Sequence, residues 1–473
     1  MVRRFMLLTV LSSLAHAADS RADEDKGIRA GAYAQDITPE KFPVSVNGGF
    51  QDRQAAGAHD RLHARCLVLA RHKTQIAIVV VDSCMLPRDL VREAKKQAEE
   101  RTGIPATHML IAATHTHTAP TVAGVFQSDP DADYNKLLPQ RIAQGIEKAH
   151  KNLEPARVGW AVGKDPTQLF NRRWKMKPGT IAPDPFGTTT DQVKMNPGYQ
   201  VPGLVEPAGP TDPDVSILVA QTRDGKPIAL LANYSLHYVG GFPPLSADYF
   251  AVFAERIGQL IGAGEGFVGI MSNGTSGDVN NINFAGPAPK GQQPGDQIRI
   301  VADSVAKAAF DAYQTVKYHD DVTLAVAWKD IELGVRKPSE QDLVRAKDIL
   351  EKAKDKKQLT RPTEVYARET VLLAKYPSTV EATMQALRIG DLGIAAIPCE
   401  VFTEIGLDIK KRSPLKPTFT IELANGYNGY LPTPAQHRLG GYETWRARSS
   451  YLEVDASTKI TETVLGLLKE VAP

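Results

Sequence analysis

The tract ATHTHTAP, residues 113–120, sets two histidines one residue apart directly after the apolar run 109–113. In an extended chain residues i and i+2 point to the same side, about 6 to 7 Å apart. One imidazole can then ligate a metal while the other works just beyond it as a proton carrier. The same spacing also suits two histidines that only hydrogen-bond within a loop, so the pair takes its meaning from its company. That company recurs in one order: an apolar run, a small or polar elbow, then a ligand-type side chain. It is seen at Asp82, His115, His237, Asn273 and Glu400, and at the tyrosines Tyr427, Tyr430 and Tyr442 beyond Leu423. Imidazole, carboxylate and phenolate are donors that Zn²⁺ accepts, and a zinc that keeps one position for water is catalytic rather than structural. Two histidines with one carboxylate is the expected core. Capping and turn chemistry is the competing reading, with Glu400 as the cap of the helix that follows it and SNGTSGDVNN, residues 272–281, as an ordinary turn.

The elements that must place these groups are legible from periodicity. Residues 64–70 (ARCLVLA) and 76–81 (IAIVVV) read as strands, the second apolar throughout, as when both faces of a sheet are covered. A helix over 87–103, with Pro near its start and Gly at its stop, leads to a strand at 109–113. This is a β-α-β unit with the histidines just past its second strand, where ligands collect in such sheets. A helix follows over 134–153 and a strand over 157–162. Residues 164–213 lack a steady period and are dense in Pro, Gly, Lys and Asp, which predicts a functional flap or a wandering surface loop that carries Arg172. Strands at 215–220 and 228–232 form a hairpin around Asp224-Gly225, with His237 beyond it. A helix after Ser246, a strand at 267–271, helices near 295–315 and 338–355, paired strands at 384–388 and 394–397, and a last strand at 418–423 complete the chain. The fold class expected is α/β: a mixed, largely buried β-sheet core with flanking helices and a site at strand carboxyl ends.

The chain has 473 residues, and 56 Lys and Arg stand against 54 Asp and Glu. A net charge of +2 leaves no electrostatic footprint for nucleic acid. Residues 1–17 join a basic start to a short apolar stretch ending in Ala-His-Ala, the pattern of a leader cut after Ala17, followed by a solvated linker over 18–29. The expected location is therefore periplasmic or secreted, with no transmembrane span and at most a transient contact with a membrane surface. Cys66, Cys84 and Cys399 are an odd number without CxxC spacing, so they form neither a disulfide framework nor a thiolate zinc site and at most one bridge, and Cys66 and Cys84, on or beside apolar strand-like runs, are expected as buried free thiols.

ATHTHTAP, the Asn-Tyr-Ser-Leu-His of 233–237, SNGTSGDVN at 272–280, Pro-Cys-Glu at 398–400 and GYNGYLPTP at 426–434 together resemble the neutral/alkaline, non-lysosomal ceramidase family. The likeness runs in order over roughly residues 30 to 450, and His59 in GAHDRLHARCLVLA extends it. Position by position, the resemblance implies one zinc per chain held by His115, His237, Glu400 and Tyr430, with His117, Arg172 and Tyr442 around the scissile amide. Where the family has a serine this chain has Asn280, so Asn280 takes that place among the catalytic candidates. The family also implies one catalytic domain over 30–473, here without the immunoglobulin-like C-terminal domain of its well-studied members.

The activity implied is hydrolysis of the amide of an N-acylsphingosine, or of a related lipid or small N-acyl substrate, by a zinc-activated water. His117 is expected to carry the proton, Tyr442 to donate to the oxyanion and Arg172 to anchor a polar group of the substrate. The rivals are a metallo-amidase or esterase acting on a non-sphingolipid substrate and a non-catalytic periplasmic binding protein that keeps a metal for structure.

Overall fold

Three pairs of longer parallel strands, one from each third of the chain, organise the molecule, and a short fourth pair sets Glu400–Val401 beside Tyr430–Leu431. The computed structural model describes residues 27–473, so the leader expected at 1–17 lies outside the described residues. The linker expected over 18–29 ends sooner: strand β1 (Ile28–Asp36) already contains its last two residues, because Ile28 and Ala30 are core positions.

β1 pairs antiparallel with β2 (His63–Arg71), which forms a hairpin with β3 (Thr74–Val81). Helix α1 (Arg88–Thr102) then crosses over to β4 (Met109–Ala113), parallel to β3. Helix α2 (Ala132–Lys151), capped by the Asp131 carboxylate on the Tyr134 N–H, lies beside α1. The second parallel pair follows β5 (Glu154–Lys164) and β6 (Asp214–Thr222). It consists of β7 (Pro227–Tyr234) and β8 (Val268–Asn273), joined by helix α3 (Asp248–Leu260). Helix α4 (Asp296–Tyr313) closes that layer. These strands make a nine-stranded sheet in the order β8-β7-β6-β5-β1-β2-β3-β4, with Lys317–His319 added against β5.

The last third builds a separate four-stranded sheet from β9 (Leu324–Gly334), β10 (Thr379–Ile389), β11 (Leu392–Ala396) and β12 (Thr418–Ile421). Helices α5 (Glu340–Lys352) and α6 (Pro362–Leu373) lie between β9 and β10. The parallel pair within this sheet is β11 and β12, connected through helix α7 (Thr403–Arg412), and helix α8 (Ala456–Val471) covers the sheet.

Alternation along the strands explains the burial. Leu67 and Leu69 of β2 face a core shared with Leu218, Leu231 and Ile270 from the other half of the large sheet and with Leu387, Ile394 and Phe419 from the small one. Val68, between them, points to the other face and packs on Leu90, Leu138 and Ile142 of α1 and α2. Helices α3 and α4 cover the outer face of β6–β8, and α7 and α8 that of the small sheet. Strands covered on both faces cannot alternate apolar with polar residues, which is why IAIVVV is unbroken. The expected mixed α/β class, with a buried sheet core and flanking helices, is the architecture observed.

Residues 164–213 differ from expectation. In place of a strandless flap, Arg173–Met176, Val193–Met195 and Leu204–Pro207 form a small three-stranded sheet. Trp174 and Met176 pack on Phe284, and these few apolar residues are too widely spaced among Pro, Gly and Lys to register as a period. All three cysteines are free and buried.

Candidate metal centre

His115 follows β4, His237 follows β7 and Glu400 follows β11, so each parallel pair contributes one donor from a carboxyl end. The three ligand atoms lie within 4.8 Å of one another, and all three residues are buried. The backbone orients both imidazoles. The Nδ1 of His115 is 2.6 Å from the Cys84 carbonyl and that of His237 is 3.1 Å from the Ser276 carbonyl. A carbonyl only accepts, so each Nδ1 carries the proton and each Nε2 is turned into the cluster. His115 itself sits at φ +70, a left-handed conformation that costs a non-glycine residue roughly 1–3 kcal/mol.

Glu400 Oε2 lies 3.3 Å from His115 Nε2, is buried, and meets no hydrogen-bond donor at bonding geometry. Its Oε1 accepts from the Tyr427 hydroxyl at 2.9 Å. Burial alone would lower the His115 pKa. The Glu400 carboxylate, helped by Cys84, outweighs it and holds the imidazole well above the usual histidine range. Burial pushes Glu400 up, but His115 and then Arg172 bring it below the usual carboxylate range. Burial, reinforced by Arg172, keeps His237 neutral by lowering it well below that range.

Arg172 stands inside the cluster. Its Nε donates to Glu443 Oε1 (3.0 Å), its Nη1 to His237 Nε2 (3.1 Å), and its Nη2 to the Gly277 carbonyl (2.9 Å) and the Tyr430 hydroxyl (3.0 Å). Every nitrogen of the guanidinium is engaged, so its geometry supports holding Tyr430 and the Gly277 carbonyl rather than reaching out to a substrate. Tyr430 in turn borders Tyr442, with ring centroids 5.8 Å apart.

His117 stands next to His115, with the two Nε2 atoms 3.2 Å apart. Its Nδ1 donates to the Gly48 carbonyl at 2.9 Å, leaving Nε2 as the basic nitrogen. Burial, and then the charge on His115, keeps it neutral. Tyr238 stacks on this ring at a centroid distance of 3.6 Å and an interplanar angle of 15°. Gly48 has φ +106, and a Cβ there would lie 2.4 Å from His117 Cγ. Gly48→Ala is therefore expected to push His117 out of place, lowering kcat by about 100-fold or more, the scale of one lost proton-transfer group, while metal content is unchanged. Elemental analysis beside single-turnover kinetics checks both halves.

Not every expected residue joins. The Asn280 amide donates to Asn196 Oδ1 at 2.9 Å and its carbonyl accepts the Ile282 N–H, so none of its hydrogen bonds reaches the cluster. Asp82 turns away to take Arg65 Nη1 at 2.6 Å and the His63 N–H at 2.8 Å. Asn273 spends its amide on the Thr114 carbonyl. Tyr238, Glu422 and Glu443 were not singled out from the sequence. Glu422 obeys the strand-end pattern, but a last strand drawn to residue 423 hides it as a strand position; β12 stops at Ile421.

Two imidazole nitrogens, a carboxylate oxygen without a donor and a neighbouring phenol are the donor chemistry of a Zn²⁺ site. These residues fit such an ion.

No family model matches the chain. Two Dictyostelium discoideum proteins, neutral ceramidase B and neutral ceramidase A, are 24% and 23% identical to it over 302 residues. That stretch is 58% of this chain but only 38% and 39% of theirs. The chain thus spans under two-fifths of the length of these curated relatives. Among solved structures, the neutral ceramidase of Pseudomonas aeruginosa superposes with a TM-score of 0.70 at 16% identity, covering 93% of this chain and 74% of that one. A ceramidase structure described as complexed with C2 gives a TM-score of 0.71 at 16% identity, covering 94% and 76%.

Proposed function

We propose that this chain is a member of the neutral ceramidase family, which it resembles in sequence and fold, and a zinc-dependent hydrolase that cleaves the amide bond of an N-acylsphingosine or a related N-acyl substrate. The observation that carries the reading is the convergence of His115, His237 and Glu400 from three strand ends. Tyr430 completes the proposed ligand set. A Zn²⁺ held there would polarise the amide carbonyl as a Lewis acid and lower the pKa of its water toward about 7.

The protein's own groups do the rest. Neutral His117, its Nδ1 proton committed to Gly48, takes a proton at Nε2 from the attacking water and returns it to the leaving amine. The Tyr442 hydroxyl donates to the oxygen that gains charge. Burial and the Glu400 charge keep that phenol protonated throughout the working pH range. Arg172 holds Tyr430 in register and balances the charge of Glu400, while its contact with His237 Nε2 would yield that lone pair to the ion. Tyr442→Phe removes only the donor, and kcat is expected to fall about 100- to 1000-fold with KM little changed.

Residues 30–473 form one catalytic domain in this proposal, and the leader-like residues 1–17 support export to the periplasm or the exterior. Asn280, in place of the family serine and bonded away from the cluster, favours an amide or ester of a non-sphingoid partner as the second reading.

The test is metal content of the purified protein together with hydrolysis of a short-chain fluorescent N-acylsphingosine. About one zinc per chain with cleavage supports the proposal. Zinc without cleavage moves the substrate to other amides and esters, and a protein that takes up no metal sinks the reading.

A further inference from the structure

Glu422, one residue beyond β12, is fully buried and makes no ion pair among the described residues. Its Oε2 accepts two backbone N–H groups, from Ser276 at 3.1 Å and from Val401 at 2.6 Å, and its Oε1 makes a short hydrogen bond with the Ser276 hydroxyl. Both partners belong to the metal centre's framework. The Ser276 carbonyl is the group that takes the His237 Nδ1 proton, and Val401 follows Glu400 directly. One side chain from the third strand pair thus ties the loop that aims His237 to the strand that presents Glu400.

All three bonds are donated to the carboxyl, two by backbone N–H groups to Oε2 and one by the Ser276 hydroxyl to Oε1, so both oxygens are held in place. Burial outweighs these bonds and the charge on His115, and pushes Glu422 up to about 8.

We propose that Glu422 is a positioning residue for the metal centre, a hydrogen-bond clamp that fixes the Ser276 carbonyl, and through it His237, relative to Glu400. The inference rests on the reading that His115, His237 and Glu400 hold a divalent cation. Ligands delivered from separate strand pairs need such a brace, since the donors drift apart whenever their backbones do. Partners of this kind typically alter metal affinity by about 10- to 100-fold.

The experiment uses the full chain, with Co²⁺ as the probe, its affinity read by titration and its geometry by the visible d–d spectrum. Glu422→Gln can accept both N–H groups through its carbonyl oxygen and donate to Ser276 through its amide. Its cobalt affinity should stay within about 3-fold of the parent, with the same spectrum, because the bonds are kept. Glu422→Ala should bind cobalt about 10- to 100-fold more weakly, with an altered spectrum.

Parental affinity and spectrum in Glu422→Ala would overturn the clamp, and so would a Glu422→Gln protein as impaired as the alanine variant. If the alanine variant does not fold, Ser276→Ala takes its place. That change deletes only the hydroxyl, and an unaltered cobalt affinity and spectrum would overturn the proposal equally. A parent protein that takes up no cobalt defeats the metal reading itself, and this shows before any variant is made.

Discussion

His115→Ala is expected to remove bound metal and hydrolytic activity together, with activity falling at least about 1000-fold, while the fold survives. The residue offers one of two imidazole donors, and a cation left with His237, Glu400 and a phenol loses a strong nitrogen ligand from an already minimal set. Little packing is lost: the strand that delivers His115 is held by Met109, Leu110 and Ile111 in the two cores on its faces. Alanine keeps a Cβ and so leaves the strain of the positive φ in place, and thermal stability of the chelator-treated protein should move by no more than a few °C.

The same site carries a pH signature. Because Glu400 holds the His115 pKa above its ordinary value, the imidazole keeps its proton to higher pH than a free histidine, and a metal must displace that proton. Affinity is therefore expected to rise as pH climbs through the raised pKa and to fall on acidification. Titration of Co²⁺ across pH measures this. Metal content and activity that separate in His115→Ala would contradict the role given to it.

Glu443→Ala should give the largest loss of stability. The carboxylate is fully buried and pairs with Arg172 Nε at 3.0 Å and Arg173 Nη1 at 2.6 Å, and the Arg173 side chain is itself fully buried. Deleting it strands two guanidinium charges in the interior. Breaking a buried pair from one side costs about 3–5 kcal/mol, because the remaining charge is neither hydrated nor compensated. Arg173 keeps bonds to Gln436 and the Gly440 carbonyl, which places the loss within that range rather than above it. Arg172 loses its carboxylate anchor, so Tyr430 should loosen and metal affinity should fall as well. Glu443→Gln keeps an acceptor and the shape, and its loss should be smaller. Denaturant midpoints on chelator-treated protein measure the stability term free of metal linkage.

The two cases show different degrees of legibility. His115 announces itself, because a histidine pair directly after a buried strand is a local pattern. Glu443 sits beside Tyr442 with no periodic or motif signal, and its partners Arg172 and Arg173 are 271 and 270 residues away. The small sheet within residues 164–213 was hidden for a related reason: its strands are three and four residues long, below what alternation can reveal.

By itself the sequence determined the buried parallel strands, the absence of a disulfide framework and the places where polar side chains follow strand ends. Those features rest on hydrophobic period and residue type over a few neighbours. The tertiary structure alone decided which strand-end groups meet. Asp82 and His115 both follow strands of one β-α-β unit, yet Asp82 turns to Arg65 while His115 turns to Glu400. The direction of a side chain beyond a strand is set by whatever packs against that turn, and here the packing partner comes from the last third of the chain. Convergence of three donors is therefore a property of how the two sheets share a core, and no stretch of the sequence contains it.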